Sequence, residues 1–320
     1  MAFLFALKPY NWCSLQLIIP MRRDAGPSAS PLPGILLLLT ATATFACLDN
    51  LGKWLMQTYS VGMVVWVRYL MHTLVMIALL GPRLGFGLVR SNAPGMQIVR
   101  ALVLIVSSLM FFWGLSKMPI AECTAISFMS PLLLTVLSIW FLKERVPPSA
   151  WIAVVIGFVG VLLIVRPGGE LFSPVVVLPL ITALLFATYQ LLTRKMAGID
   201  PTLTTLFYGA LVGTVLTSLF VPLFWQTPQS AFHIFLFVMT GLLGAMGHFL
   251  LISAFERAPA STLAPFLYAQ IAFSSGVGYL VFDAFPDGWA LVGILIIIGS
   301  GVWIALRHRQ AAMAPPIVEP

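Results

Sequence analysis

Between Pro33 and Leu306 the chain reads as apolar runs of about 20 residues separated by short connectors, the length a helix needs to cross a bilayer core about 30 Å thick. Ten such runs are predicted, at Pro33 to Met56, Val61 to Leu80, Gln97 to Leu115, Pro119 to Leu142, Pro148 to Val165, Ser173 to Leu192, Pro201 to Trp225, Ala231 to Phe255, Ser261 to Phe282 and Gly288 to Leu306. Gly81-Pro82, Pro147-Pro148, Pro167-Gly168-Gly169 and Pro286 are read as breakers between runs, where the chain must reverse. The pattern predicts an all-α integral membrane protein.

Composition agrees with that class. Of 320 residues, 60% are hydrophobic and 8% charged, with mean hydropathy +1.02, against about 25% charged residues in an ordinary soluble domain. The net charge of +7 does not point to nucleic acid, because the basic residues sit in connectors and form no continuous patch. They act instead as topology signals. With the N-terminus inside, the inner side holds Lys8, Arg22, Arg23, Arg83, Arg90, Arg100, Lys143, Arg145, Arg194, Lys195, Arg257, Arg307 and Arg309, and the outer side only Lys53, Lys117 and Arg166. The asymmetry predicts a multi-pass inner-membrane protein with both termini cytoplasmic. Residues 1–32 lack a signal-peptide pattern and are read as a cytoplasmic tail, with Met21 an alternative start; residues 307–320 form the second tail. Cys13, Cys47 and Cys123 have neither metal-type spacing nor the pattern of a disulfide framework.

The chain also matches itself at an offset near 140 residues. Phe45-Ala46 recurs as Phe186-Ala187, Lys53 as Arg194, Trp66 as Phe207, Pro119 as Pro259, Phe128 as Tyr268, and Gly160-Val161 as Gly301-Val302. Five spans per unit is an odd number, so the second unit enters the membrane from the opposite side. This predicts inverted repeats over 33–166 and 173–306, an arrangement that places a substrate site near the midplane between the halves.

Phe45-Ala46-x-x-Asp49-x-x-x-Lys53 followed by Trp66-x-Arg68-Tyr69 resembles the first two spans of EamA-type carriers in the drug/metabolite transporter superfamily. So do Met118-Pro119-Ile120-Ala121-Glu122-x-Thr124-Ala125-Ile126-Ser127-Phe128-x-Ser130-Pro131, Phe141-Leu142-x-Glu144-Arg145 and Gly157-Phe158-x-Gly160-Val161-Leu162. The resemblance implies a ten-helix bundle of two inverted five-helix units around a central cavity, working by alternating access. The first four helices of each unit would surround the cavity, with the fifth at the periphery. The branch resembled includes carriers assigned to riboflavin and to S-adenosylmethionine uptake.

The polar residues inside the spans carry the candidate chemistry. Asp49 and Arg68 each lie about 10 Å from the outer end of their spans and can meet there, which lowers the burial penalty of both. Their repeat counterparts, Gln190 and Gly209, lack both charges together. The pair either fixes the first hairpin permanently or faces the cavity, binds a polar part of the substrate and exchanges partners during the cycle. Lys53, one turn nearer the outer water, is either an edge lysine that snorkels or a gate paired with Asp49. His72, one turn below Arg68, and His248, on the Gly241, Gly244 and Gly247 face, are packing residues or proton carriers. His233 and His308 lie near membrane edges. Glu122 either favours the helix dipole at the start of span four or serves as an entrance carboxylate; Glu144 belongs to a solvated charge cluster. Trp66, Phe111, Phe128, Tyr189 and Tyr268, with Gln190 and Gln270, either pack against lipid and core or stack on a planar substrate. Gly157, Gly160, Gly299 and Gly301 are read as packing surfaces on spans five and ten.

A pump driven by its own nucleotide site is disfavoured because no G-x-x-x-x-G-K-[ST] motif occurs. A membrane enzyme is disfavoured because ten acidic residues and four histidines are scattered without a ligand cluster or nucleophile and base pattern. The expected protein is a cofactor-free, metal-free secondary carrier of a small organic metabolite, monomeric or homodimeric, with proton coupling as an added expectation. Riboflavin ranks first as cargo, S-adenosylmethionine second, and an amino-acid or drug exporter follows.

Overall fold

The computed structural model describes residues 32–142, 148–165, 173–196, 199–257 and 266–313, and all regular structure among them is helical. In chain order the helices are α1 (Leu32–Leu55), α2 (Val61–Leu84), α3 (Pro94–Lys117), α4 (Ile120–Ser127), α5 (Ser130–Leu142), α6 (Pro148–Val165), α7 (Val177–Met196), α8 (Thr202–Phe220), α9 (Ala231–Arg257), α10 (Ala269–Phe282) and α11 (Gly288–Met313). Six segments among the described residues are long and apolar enough to cross a membrane, and four shorter apolar segments accompany them. Residues 1–31 and 314–320, Glu144 with its neighbours, and Pro259 lie outside the described residues, while residues 307–313 of the expected C-terminal tail continue α11.

Local chemistry sets the helix ends. The Ser60 hydroxyl accepts from the Met63 N–H at 3.3 Å and caps α2, and Pro94 opens α3 where its missing N–H is not needed. The expectation that Gly81-Pro82 separates two runs is corrected: Pro82 lies inside α2, which ends at Gly85. A proline this close to the end removes one ladder bond without stopping the turn already formed. Gly85 stops it, with φ of 49° and its N–H returned to the Gly81 carbonyl.

Span four is also corrected from one helix to two. After Ser127 the backbone leaves helical geometry at Phe128 (φ −73°, ψ 6°), and the Met129 N–H turns back to the Ile126 carbonyl at 3.1 Å. Pro131 has no backbone N–H with which to rejoin the ladder. A single-residue turn at Tyr268, whose dihedrals stay in the right-handed helical region (φ −64°, ψ −15°), stands just ahead of α10.

The packing pairs fall into matched sets. α1 packs on α9 as α3 packs on α7; α2 packs on α9 as α8 packs on α3; α1 lies against α10 as α7 lies against α4 and α5. Contacts of α2 with α8, α4 with α10 and α6 with α11 complete the principal set. At the α6 and α11 crossing the backbones nearly touch: a Cβ on Gly160 would come within 2.8 Å of the Gly293 carbonyl, and one on Gly293 within 2.6 Å of the Gly160 carbonyl. Gly157 packs under Leu132 and Ser300, while Gly299 faces open space, so the glycine of α11 at this crossing is Gly293.

Polarity is distributed as lipid solvation requires. Leu79, Leu219, Leu280 and Leu295 are exposed, whereas Asp49, Asn50, His72, Arg100, Ser108 and Glu122 are buried. The interior is where the chemistry is concentrated.

Candidate functional site

The upper end of the bundle carries the α1 to α2, α3 to α4 and α8 to α9 turns; the lower end carries the α2 to α3 and α7 to α8 turns.

Helix α1 brings Asp49 and Asn50, and helix α2 brings Arg68, into the upper interior. Asp49, 6% exposed, accepts from Gln270 Nε2 at 3.0 Å. Asn50 donates to the Ala46 and Ser274 carbonyls, tying α1 to α10. Arg68 donates to Ser108 Oγ at 3.1 Å and lies over the rings of Tyr69 and Phe112, with centroids 5.0 and 5.1 Å away. Among the described residues no salt bridge joins Asp49 to Arg68, although the Arg68 charge acts on Asp49 through space. In this conformation the expected partners are near each other and each holds a neutral hydrogen-bonding group instead.

Lys53 does not extend into water. Its Nζ donates to the carbonyls of Met118 at 2.5 Å and Leu115 at 3.1 Å, placing a cation at the C-terminus of α3, where the helix dipole favours it. Glu122 is buried in the first turn of α4, and its charge acts on Lys53 through space.

Two residues weighed separately in the sequence come together. The rings of His72 and His248 stack with centroids 5.7 Å apart and planes 18° apart, and Phe45 closes edge-on against His248 at 5.0 Å. Gly244 faces His72, and Gly241 and Gly247 let α9 approach Met71 and Phe45. Both imidazoles lie within range of the Arg68 charge.

The aromatic candidates divide. Phe128, at the interruption of span four, and Tyr268, at the turn ahead of α10, touch at 5.9 Å, each the repeat counterpart of the other. The Tyr268 hydroxyl is buried with no partner among the described residues. Phe111 packs against the core and meets Phe112 edge-on. Trp66 lies apart from this group, donating to Ser218 at 2.8 Å and meeting Trp225 at 5.9 Å. Tyr189 stacks with Phe186, and Gln190 beside it is half-buried.

Arg100 is a correction. Counted above with the cytoplasmic connectors, it is 1% exposed inside α3, bonded to Tyr189 and Thr193 of α7 and to the Thr205 carbonyl of α8. A charge within the apolar run Gln97 to Leu115 was the available signal.

Both ends are closed by polar clasps that the sequence pattern did not suggest. At the lower end Asp200, just before α8, accepts from Ser91 Oγ, the Asn92 N–H and Gln97 Nε2, while Asn92 Nδ2 donates to the Ile199 carbonyl. Burial pushes the Asp200 carboxyl up, but the hydrogen bonds from Asn92, Ser91 and Gln97 outweigh it and hold it below the ordinary carboxylate range. At the upper end the Ser60 N–H donates to Gln226 Oε1 at 2.7 Å, Ser60 Oγ donates to the Phe224 carbonyl, and the Tyr59 hydroxyl meets His233 Nδ1 at 2.6 Å. His233, expected only to mark an edge, is part of that closure.

A 330 Å³ apolar cavity lined by Ile77, Gly81, Leu88, Val89 and Phe207 lies at the lower end of α2 and α8, away from the charged interior. Among the described residues no three His, Cys, Asp or Glu side chains converge as metal ligands.

Comparison with known proteins gives this geometry a context. The model of the EamA-like transporter family matches twice, over residues 32–166 and 173–306. An S-adenosylmethionine uptake transporter of Rickettsia bellii is 28% identical over 278 residues, covering 87% of this chain and 95% of that protein. A riboflavin transporter of Vibrio cholerae is 27% identical over 280 residues, covering 86% and 93%. A solved crystal structure, 20% identical, superposes with a TM-score of 0.62 over 89% of this chain and 99% of its own, a likeness of fold alone.

Proposed function

Because the chain belongs to the EamA-like transporter family, we propose that it is a secondary carrier that moves a small organic metabolite across the inner membrane by alternating access. Its activity is transport, not catalysis. The upper end faces outward and both termini lie in the cytoplasm, a reading supported by the excess of Lys and Arg on the other side.

The carrying observation is the matched packing. Exchanging the first five spans for the second five maps α1 on α9 onto α7 on α3, and leaves α2 with α8, α4 with α10 and α6 with α11 paired as before. That pattern supports two inverted five-helix units, 33–166 and 173–306, about an axis passing near Phe128 and Tyr268. Between the units lie Asp49, Gln270, Arg68, His72, His248 and Tyr268, ionisable and hydrogen-bonding groups of the kind found along intramembrane substrate and proton paths. Asp49 binds a polar part of the cargo, and its bond to Gln270 gives way to contact with Arg68 as the site opens. The histidine pair offers a route for proton coupling.

S-adenosylmethionine and riboflavin are the cargoes to test first, since relatives named for each align over more than four-fifths of this chain. Labelled S-adenosylmethionine uptake and rescue of a riboflavin-requiring strain test them directly. Asp49→Asn should insert normally and lose uptake. Full uptake by a correctly inserted Asp49→Asn protein would refute the role given to this carboxylate.

A further inference from the structure

We infer that Arg100 is a recognition residue for a carboxylate of the cargo, so that the carrier selects metabolites bearing a carboxylate over those lacking one. The inference deepens the carrier reading and rests on it.

A guanidinium is charged at every physiological pH, and burying one without a counter-ion is strongly unfavourable. Arg100 is nevertheless 1% exposed, about 10 Å inside the lower end of α3. Its partners among the described residues are all neutral: Tyr189 Oη at 3.0 Å, Thr193 Oγ1 at 3.4 Å and the Thr205 carbonyl. The carboxylate nearest along this network is Asp200, reached through Thr205 and Gln97, and its oxygens are already engaged by Ser91, Asn92 and Gln97 at the membrane edge.

The unused donors have a particular arrangement. Of the five N–H groups of a guanidinium, three are engaged here, and Nε is buried without a partner. Nη2 gives one hydrogen to Thr205 and keeps another. Nε–H and the Nη2–H on its side form the edge of a guanidinium that receives the two oxygens of a carboxylate, and each of these nitrogens keeps a hydrogen not engaged by a partner among the described residues. The position beside Nη2 is Gly209, where a Cβ would stand 3.9 Å away, so α8 presents no side chain there. Tyr189 lies under the guanidinium at 5.1 Å and stacks with Phe186, leaving an aromatic surface next to the fork.

The wider charge distribution points the same way. Arg100 lies on α3 and Arg68 reaches the same helix at Ser108, about 12 Å along its axis, so the two cations stand apart. At the Arg100 end a single cation whose partners among the described residues are neutral suits a single negative charge, hence a carboxylate rather than a phosphate dianion.

The test uses the full chain purified in detergent and follows thermal unfolding by tryptophan fluorescence. The ligands are S-adenosylmethionine, its decarboxylated analogue, 5′-methylthioadenosine, riboflavin, and a panel of free amino acids and small dicarboxylates. At least one carboxylate in the set should bind tenfold or more tightly than its carboxylate-free counterpart, S-adenosylmethionine against decarboxylated S-adenosylmethionine being the sharpest pair. Arg100→Gln should erase that difference, and Arg100→Lys should retain part of it. Equal binding with and without the carboxylate, no carboxylate bound at all by the unaltered protein, or discrimination surviving in Arg100→Gln would each overturn the inference; the first two need no variant to fold. Carboxylate-dependent binding without movement into sealed vesicles would reject the carrier reading and leave this one standing. Transport of riboflavin with no carboxylate preference would do the reverse.

Discussion

At the scale of single residues, the interior separates groups that hold the fold from groups with bonding capacity to spare. Lys53 gives two of its three donors to the end of α3. The Tyr268 hydroxyl is buried without a partner among the described residues, and such a group costs about 1–3 kcal/mol. Tyr268→Phe should therefore leave the melting temperature unchanged or raise it while reducing uptake; a large loss of stability would show that the hydroxyl is structural. Asp200 supplies a pH prediction of definite sign. Its carboxyl is held below the ordinary range when folded, so the lower clasp is stabilised above the ordinary carboxylate pKa and loses that stabilisation as pH falls through the depressed value. The distance between spin labels at the exposed Arg90 and Ile199 should stay short from neutral pH to about 5 and lengthen only below about 4. The sequence made Asp49, Arg68 and His72 visible because a charge in an apolar run stands out. It hid Asp200, which looks like any connector acid until the fold brings Ser91, Asn92 and Gln97 to it from 103 to 109 positions away.

At the scale of helices, run length predicted most boundaries to within a few residues, since crossing a bilayer fixes the length and leaves little choice. The interruption within span four was illegible because hydropathy does not register a missing N–H: Phe128 is as apolar as its neighbours while the backbone leaves helical geometry there, ahead of Pro131. Glycine spacing was a partial guide. It found Gly157 and Gly160 on α6 but pointed on α11 to Gly299, which faces open space, whereas the helices cross at Gly293. Gly293→Ala should force α6 and α11 apart, because the new Cβ meets a backbone carbonyl that cannot rotate aside. A loss of roughly 1–3 kcal/mol is expected, read as a lower melting temperature, with uptake per folded molecule little changed because this pair lies at the periphery. A stable but transport-dead variant would instead place the α6 and α11 contact in the working cycle.

At the scale of the whole molecule, closure at both ends at once is the property that needs a functional account. The upper clasp joins the α1 to α2 turn to the α8 to α9 turn, and the lower clasp joins the α7 to α8 turn to the α2 to α3 turn, so exchange of the two units turns one into the other. With both formed, the described turns are joined at each end of the bundle, the arrangement that an occluded intermediate of the proposed alternating-access cycle requires. Each clasp must then open once per cycle while the other holds. In a chain freed of Cys13, Cys47 and Cys123, cysteines at Asn92 and Ile199 tether the lower clasp, and cysteines at Ser60 and Gln226 tether the upper one, through a short reducible bifunctional reagent. Either tether alone should stop exchange of labelled for unlabelled cargo in sealed vesicles, and reduction should restore it. Binding of cargo should survive on the side left free, so the lower tether preserves access from outside and the upper tether access from inside. Exchange that continues with either end tethered would mean that cargo passes without that end opening, and the two clasps would then be packing contacts of a fold that moves in some other way.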